Sequence, residues 1–100
     1  PLAAHGGVIS SLMDGLLGVT ALSVVEKENK IVSTIEFKIN FLSPAFIHDD
    51  LQGIGKVEQK GNRLIVVSGD IFCVNRGNVL IAKSIGTFNA YEAEKSGFKI

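Results

Sequence analysis

The sequence predicts an α+β domain, one long central helix wrapped by an antiparallel sheet. Three observations predict it. The stretch from Val8 to Val25 carries a single charge, Asp14; the apolar period then switches from helical to alternating; and the later apolar segments are separated by short polar turns. One hundred residues suit one hydrophobic core, so residues 1–100 are read as a single domain. No internal repeat, linker or low-complexity tract interrupts it.

In the helix, Ile9, Leu12, Met13, Leu16 and Leu17 recur on one stripe, and Gly7, Ser11, Asp14, Gly18 and Ala21 on another. A helix apolar on one side and small on the other is enclosed nearly all round. Gly15 and Gly18 each cost about 1 kcal/mol relative to Ala in a helix interior, which sequences tolerate where another backbone comes close. The stretch also meets the lower length limit for a membrane span. A central Asp costs roughly 2.5–3.5 kcal/mol on insertion scales, and basic anchors are absent from its flanks, so the buried helix is the better reading.

Four strands follow. From Ile31 to Phe41 the odd positions Ile31, Ile35, Phe37, Ile39 and Phe41 are apolar, Ser33 excepted, while Thr34, Glu36, Lys38 and Asn40 are polar. Ser43-Pro44 ends this strand, because proline cannot donate to a ladder. Leu51 to Gln59 is the second, with Gly53 and Gly55 marking a bulge or a close backbone approach. Lys60-Gly61-Asn62-Arg63 reads as a hairpin turn into Leu64 to Val74, whose odd positions Ile65, Val67, Gly69, Ile71 and Cys73 form an apolar or small face. After the turn Asn75 to Asn78 comes the fourth strand, Val79 to Tyr91. Short hairpins make the last three strands antiparallel. The outer face of such a sheet, with Ile54, Val66 and Phe72 on it, remains apolar, and a symmetric dimer or larger assembly would cover it.

Composition narrows function. Ten Lys and Arg balance ten Asp and Glu, so the basic excess that favours nucleic acid or an anionic membrane is missing. One cysteine excludes an intrachain disulfide, and with two histidines a Cys/His metal cage is not expected. A lone thiol and an N-terminus without a basic region ahead of an apolar stretch fit a reducing, cytoplasmic home. Nucleotide-loop, dinucleotide, nucleophile-elbow and zincin motifs are absent.

What remains is His5-Gly6-Gly7 followed by Asp14. Glycines at a helix start let a substrate oxygen reach backbone N–H groups at the positive end of the helix dipole. Seven residues separate Gly7 from Asp14. At about 100° per residue, Asp14 lies within roughly 20° of the same face and about 10 Å along the axis. A carboxylate and an oxyanion-type donor set on one face are the minimum for acyl transfer, provided a neighbouring subunit closes the site. The structural readings stand beside this: Gly-Gly as a turn, Asp14 as a hydrogen-bonded helix residue, His5 as a cap, His48 as a solvated loop residue and Cys73 as a small core residue. Spacing alone leaves enzyme and structural domain both open.

The residues His5-Gly6-Gly7, Leu12, Asp14 and Gly18 resemble the motif of hotdog-fold acyl-CoA thioesterases of the PaaI-like type. The strand Thr34 to Ala45 resembles the second signature of that family. Gly69 to Tyr91, with Ala82, Gly86 and Phe88, resembles its closing hairpin. The resemblance runs from His5 to Tyr91. It implies a hotdog fold assembled as a homodimer or homotetramer that hydrolyses acyl-CoA thioesters between subunits, with no metal and no bound cofactor. By position, Asp14 would be the nucleophile or the general base, and Gly6 would offer its N–H to the thioester carbonyl. Gly7 would shape the turn, His5 would orient the thioester, and Thr34 would help hold the attacking water. Ser43 stands where many relatives carry an Arg for the CoA phosphate, which leaves Lys60, Arg63 and Arg76 as alternative phosphate contacts. Relatives have a longer N-terminal region with a first strand and an Asn or Gln before the glycines; with only Pro1 to Ala4 ahead of His5, that strand is expected to be missing or truncated. The alternatives are a non-catalytic acyl- or CoA-binding or oligomerising hotdog domain and, ranked lower, a hydroxyacyl-thioester dehydratase, which would need a His–carboxylate pair at the reacting carbon.

Overall fold

The structure, a computed structural model, describes residues 6–93. Helix α1 (Gly6–Ser23) is followed by a 3-10 turn and strand β1 (Lys30–Phe41). Strands β2 (Leu51–Lys60), β3 (Leu64–Cys73) and β4 (Val79–Glu92) complete one sheet of order β1-β4-β3-β2, every neighbouring pair antiparallel. This is the expected hotdog arrangement, one helix packed against a four-stranded antiparallel sheet.

The core is the contact between one helix stripe and one sheet face. Ile9, Met13, Leu17 and Ala21, each four residues from the last, are buried against Ile65, Val67 and Ile71 of β3 and Ala82, Phe88 and Ala90 of β4. Full burial of a side chain such as Leu17 or Phe88 stabilises by about 1.5–3 kcal/mol. Ser84 is the one buried polar residue among the described residues, and its hydroxyl donates to the Lys38 carbonyl at 2.6 Å.

Two expectations change. Among the described residues helix α1 is not enclosed: Leu12, placed on the core stripe by periodicity, is 49% exposed, and Val19 is 69% exposed. Four strands cover one stripe of a helix, and the opposite side faces out. By length and composition alone α1 also passes as a membrane span, but its apolar stripe is occupied by the sheet. The second change is in β1. The pairing of β1 with β4 slips between Thr34 and Glu36, so Thr34 pairs with Phe88 and Glu36 with Thr87. A bulge adds one residue and exchanges the faces of the strand. Val32 and Thr34 therefore share the helix side before it, whereas Phe37, Ile39 and Phe41 share it afterwards. Ser33, the exception to the odd-position pattern, lies before this exchange.

Gly53 and Gly55 mark a close approach, and the β2 bulge lies further on, between Val57 and Gln59. A Cβ on Gly55 would run into the Thr20 hydroxyl, and one on Gly69 would sit 3.0 Å from both Leu17 and Met13 side-chain atoms. Gly86 is the tightest against rigid atoms, its Cβ 2.9 Å from Cβ of Phe37 and 3.3 Å from the Glu36 carbonyl. By contrast nothing lies within 4 Å of a Cβ on Gly15. Replacing Gly86 by Ala should therefore destabilise the fold by about 1–3 kcal/mol in urea unfolding. Gly15→Ala should stabilise it by up to about 1 kcal/mol; equal midpoints for the two variants would refute this account of the packing.

Candidate functional site

Asp14 lies on the exposed side of α1, and the bulge in β1 aims Thr34 at it: the Thr34 hydroxyl stands 3.4 Å from Asp14 Oδ1. That is long for an O–H···O bond and suits a pair that tightens around a bound water or substrate. Gly6 and Gly7 occupy the first described turn of α1. A shallow depression lined by Gly7, Val8, Ser11 and Leu12 begins at this turn. His5 lies outside the described residues.

On its other side Gly6 opens into an apolar cleft of 330 Å³, lined by Ile9, Phe41, Leu42, Ser43, Pro44, Ala45 and Ile81. The Phe41 ring comes within 3.8 Å of where a Gly6 Cβ would be. The end of β1 is tied to β4 by the Leu42 and Ser43 amides, both donating to the Ile81 carbonyl. The connection that follows is fastened by side chains. Arg76 forks onto Asp49 through Nε (2.9 Å) and Nη2 (2.7 Å), and Nη2 also donates to the Pro44 carbonyl at 2.8 Å. Asp49 Oδ2 accepts the Phe46 amide at 2.7 Å, and the guanidinium lies 4.9 Å from the centre of the Phe46 ring. Asn75 Oδ1 accepts from the Asp50 amide and the Cys73 thiol, and its amide nitrogen donates to the His48 carbonyl. The Arg76 guanidinium beside Asp49 holds its carboxyl below the usual carboxylate range, and Asp49 in turn raises Arg76.

The three candidate phosphate contacts do not converge within one chain. Arg76 is committed to Asp49 and Pro44 at the end of the sheet nearest Gly6. Lys60 pairs with Glu28 at 2.8 Å at the opposite end, where Glu28 also meets Lys30 at 3.2 Å and is held below its ordinary value by the two lysines. Arg63, beside Lys60 in the β2–β3 hairpin, has no ion pair among the described residues. Cys73 is buried and His48 exposed. No group of three or more His, Cys, Asp or Glu placed to hold a metal occurs among the described residues.

The fastened connection was not anticipated from sequence. Asp49 accepting the amide three residues earlier is a local turn signal that Phe46 to Asp49 does carry, but Arg76 and Asn75 reach it from 27 and 25 residues away.

Residues 3–80 match the sequence pattern of the thioesterase superfamily. A curated protein of Saccharolobus solfataricus, named as a candidate esterase, is 38% identical over 84 residues, covering 84% of this chain and 56% of the relative. The chain thus spans little more than half the length of that relative. The PaaI protein of E. coli, from the phenylacetic acid degradation operon, superposes with a TM-score of 0.80 at 22% identity over 90% of this chain and 61% of its own. A Streptococcus mutans protein bound to acetyl-CoA gives a TM-score of 0.80 at 24% identity over 90% and 68%. At these identities the two structures speak to the fold.

The Asp49–Arg76 pair has a pH signature. A carboxyl whose folded value is depressed stabilises the fold above its unfolded value, and that contribution disappears as pH falls through the folded value. Wild type should be more stable than Asp49→Asn at neutral pH, with the gap in urea midpoint closing below about pH 4. A gap of the same size at pH 7 and pH 3 would show that the charge is not what matters.

Proposed function

The chain belongs to the thioesterase superfamily, and from that premise we propose that it hydrolyses acyl-CoA thioesters to the free acid and coenzyme A. The observation that carries the reading is Asp14 with Thr34: an exposed carboxylate on the central helix, met by a hydroxyl that only the β1 bulge could bring there. The acetyl-CoA bound by the Streptococcus mutans relative supports CoA thioesters as the substrate class.

In this reading the thioester carbonyl lies at a helix start, where the Gly6 N–H and the helix dipole stabilise the oxyanion. Asp14 either takes a proton from a water held with Thr34 or attacks the carbonyl carbon itself. The tetrahedral intermediate collapses with cleavage of the C–S bond, and the departing thiolate takes up a proton as free CoA; on the nucleophilic route the acyl group stays on Asp14 as a mixed anhydride until water hydrolyses it, releasing the acid and restoring the carboxylate. His5 beside the glycines orients the thioester.

One chain cannot place both ends of this chemistry on one carbonyl by direct attack. The carboxylate must come within about 3–3.5 Å of the carbon, and the donors within about 3 Å of the oxygen. On a single helix Gly7 and Asp14 are about 10 Å apart along the axis. A second copy that brings its own helix start to Asp14 completes the site, so the working form is a homodimer or homotetramer. The exposed helix side with Leu12 and Val19, and the outer sheet face with Ile54 at 59% exposure, offer the apolar surface for it. No nucleic acid, membrane, metal or resident cofactor has a part in the scheme.

Replacing Asp14 by Asn should lower kcat on acyl-CoA by about 10²–10⁴-fold without loss of fold, measured by release of free thiol. Thr34→Val should cost roughly tenfold, the weight of one hydrogen bond of about 1–1.5 kcal/mol, and Thr34→Ser should restore it. Gly6→Pro keeps a helix start but deletes one donor, and should cost about 10²–10³-fold. Mixing the Asp14→Asn and Gly6→Pro chains should then recover activity, because each mixed dimer carries one intact site. Turnover that survives Asp14→Asn would sink the mechanism. Retained CoA binding with no turnover in wild type would instead place the chain among non-catalytic hotdog domains.

A further inference from the structure

The cleft beside Gly6 has walls of two kinds. Ile9 belongs to α1, Ile81 to β4, and Phe41 and Leu42 are held at the end of β1 by the ladder and the Ile81 carbonyl. Ser43, Pro44 and Ala45 belong to a connection, and their position depends on what fastens that connection. Arg76 grips the Pro44 carbonyl directly and, through Asp49, the Phe46 amide just beyond Ala45. The Asp49 side chain is only 5% exposed and the Arg76 side chain 34%, so the carboxylate half of the fork is withdrawn from water while the guanidinium is partly open to it. Ala45 itself is 3% exposed and seated in the core, which converts the grip on Pro44 and Phe46 into a fixed wall.

The side chains lining the cleft are apolar apart from Ser43, backbone groups supply the rest of its polar surface, and it begins at the residue proposed to receive the thioester carbonyl. With the carbonyl there, the acyl chain starts one bond away, and an apolar chain gains by leaving water for these side chains. At about 30 Å³ for a water-sized group, the cleft has room for an acyl chain of roughly six to ten carbons.

We propose that Arg76 is a positioning residue for acyl specificity: through Asp49 and the Pro44 carbonyl it holds the Pro44–Ala45 wall of the cleft that takes the acyl chain. The proposal rests on the acyl-CoA reading of the site. It gives the Arg76 guanidinium a structural task through Nε and Nη2, which Asp49 and the Pro44 carbonyl engage, distinct from contact with CoA phosphate.

The test compares wild type, Arg76→Met and Arg76→Lys on acetyl-CoA and octanoyl-CoA. Arg76→Met should raise KM for octanoyl-CoA by at least about fivefold while leaving kcat, and KM for acetyl-CoA, within about twofold. Lys keeps one ion pair but cannot span Asp49 and Pro44 together, so it should fall between the two. Should Arg76→Met fail to fold, Asp49→Asn should shift KM in the same chain-length-dependent way. Unchanged KM values, or equal changes for both substrates, would overturn the proposal; the latter would also be the mark of a phosphate contact. If wild type hydrolyses neither ester, the catalytic reading fails on its own and calorimetry with octanoyl-CoA decides the cleft. Binding weakened at least about fivefold by Arg76→Met supports it, whereas equal affinity or no binding by wild type overturns it.

Discussion

The constraint on which the rest of the structure depends is the closeness of α1 to the sheet. Under Met13 to Thr20 the sheet presents glycine on three strands: Gly53 and Gly55 of β2, Gly69 of β3 and Gly86 of β4. Side chains there would push the helix outward by the size of a methyl group or more. Interiors do not absorb such volume cheaply, so the helix height, and with it the height of Asp14 over β1, is set by what these positions lack. The Asp14–Thr34 approach is a consequence of this packing. A helix held one methyl group higher would lift the carboxylate out of reach of the hydroxyl.

The bulge at Ile35 is the second determinant, and it shows what a sequence can and cannot disclose. Alternation was legible in β1 and β3 because one face of each packs toward the core and period two follows from the pleat. In β1 the pattern was read as a single face of odd positions broken by Ser33. The structure splits it into two faces joined at an inserted residue. Bulges follow from pairing with a neighbouring strand, so a strand read by itself gives no sign beyond an apparent error in the pattern. Thr34 owes its place on the helix side to that insertion; without it, Thr34 would share a side with Lys38 and Asn40.

Asp14 and the glycine turn were legible for a different reason. Both lie on one helix, and helix geometry converts their separation directly into a shared face. The exposure of Leu12 and Val19 was not legible, because periodicity reports where a helix can be buried and not how many strands arrive to bury it. The fastening of the connection after β1 was hidden for a further reason. Its parts, Pro44, Asp49, Asn75 and Arg76, come from two turns that meet only when β2 and β3 pair across Leu51 and Cys73. Read locally, His48 to Asp50 is a polar loop and Asn75 to Asn78 a turn; pairing makes them one clamp.

Electrical neutrality also acquires a local meaning. Arg76, Lys30, Lys60 and Lys83 are each bound to a carboxylate, on Asp49, Glu28 and Asp70. Exposed pairs of this kind add little stability, roughly 0–1 kcal/mol, so Lys83–Asp70 and the Glu28 pairs matter chiefly by committing cations. The Asp49–Arg76 pair is different, because it is bidentate, its carboxylate is withdrawn from water, and it also serves backbone groups on both sides of Ala45. The sequence holds few cations, and the fold spends its best-placed one on geometry beside the apolar cleft. In the proposed acyl-CoA reading, recognition is therefore weighted toward the acyl side of the thioester. In that reading the charged end of the substrate falls to cations without an ion pair among the described residues, Lys27, Lys38, Lys56 and Arg63, or to those of the proposed second copy.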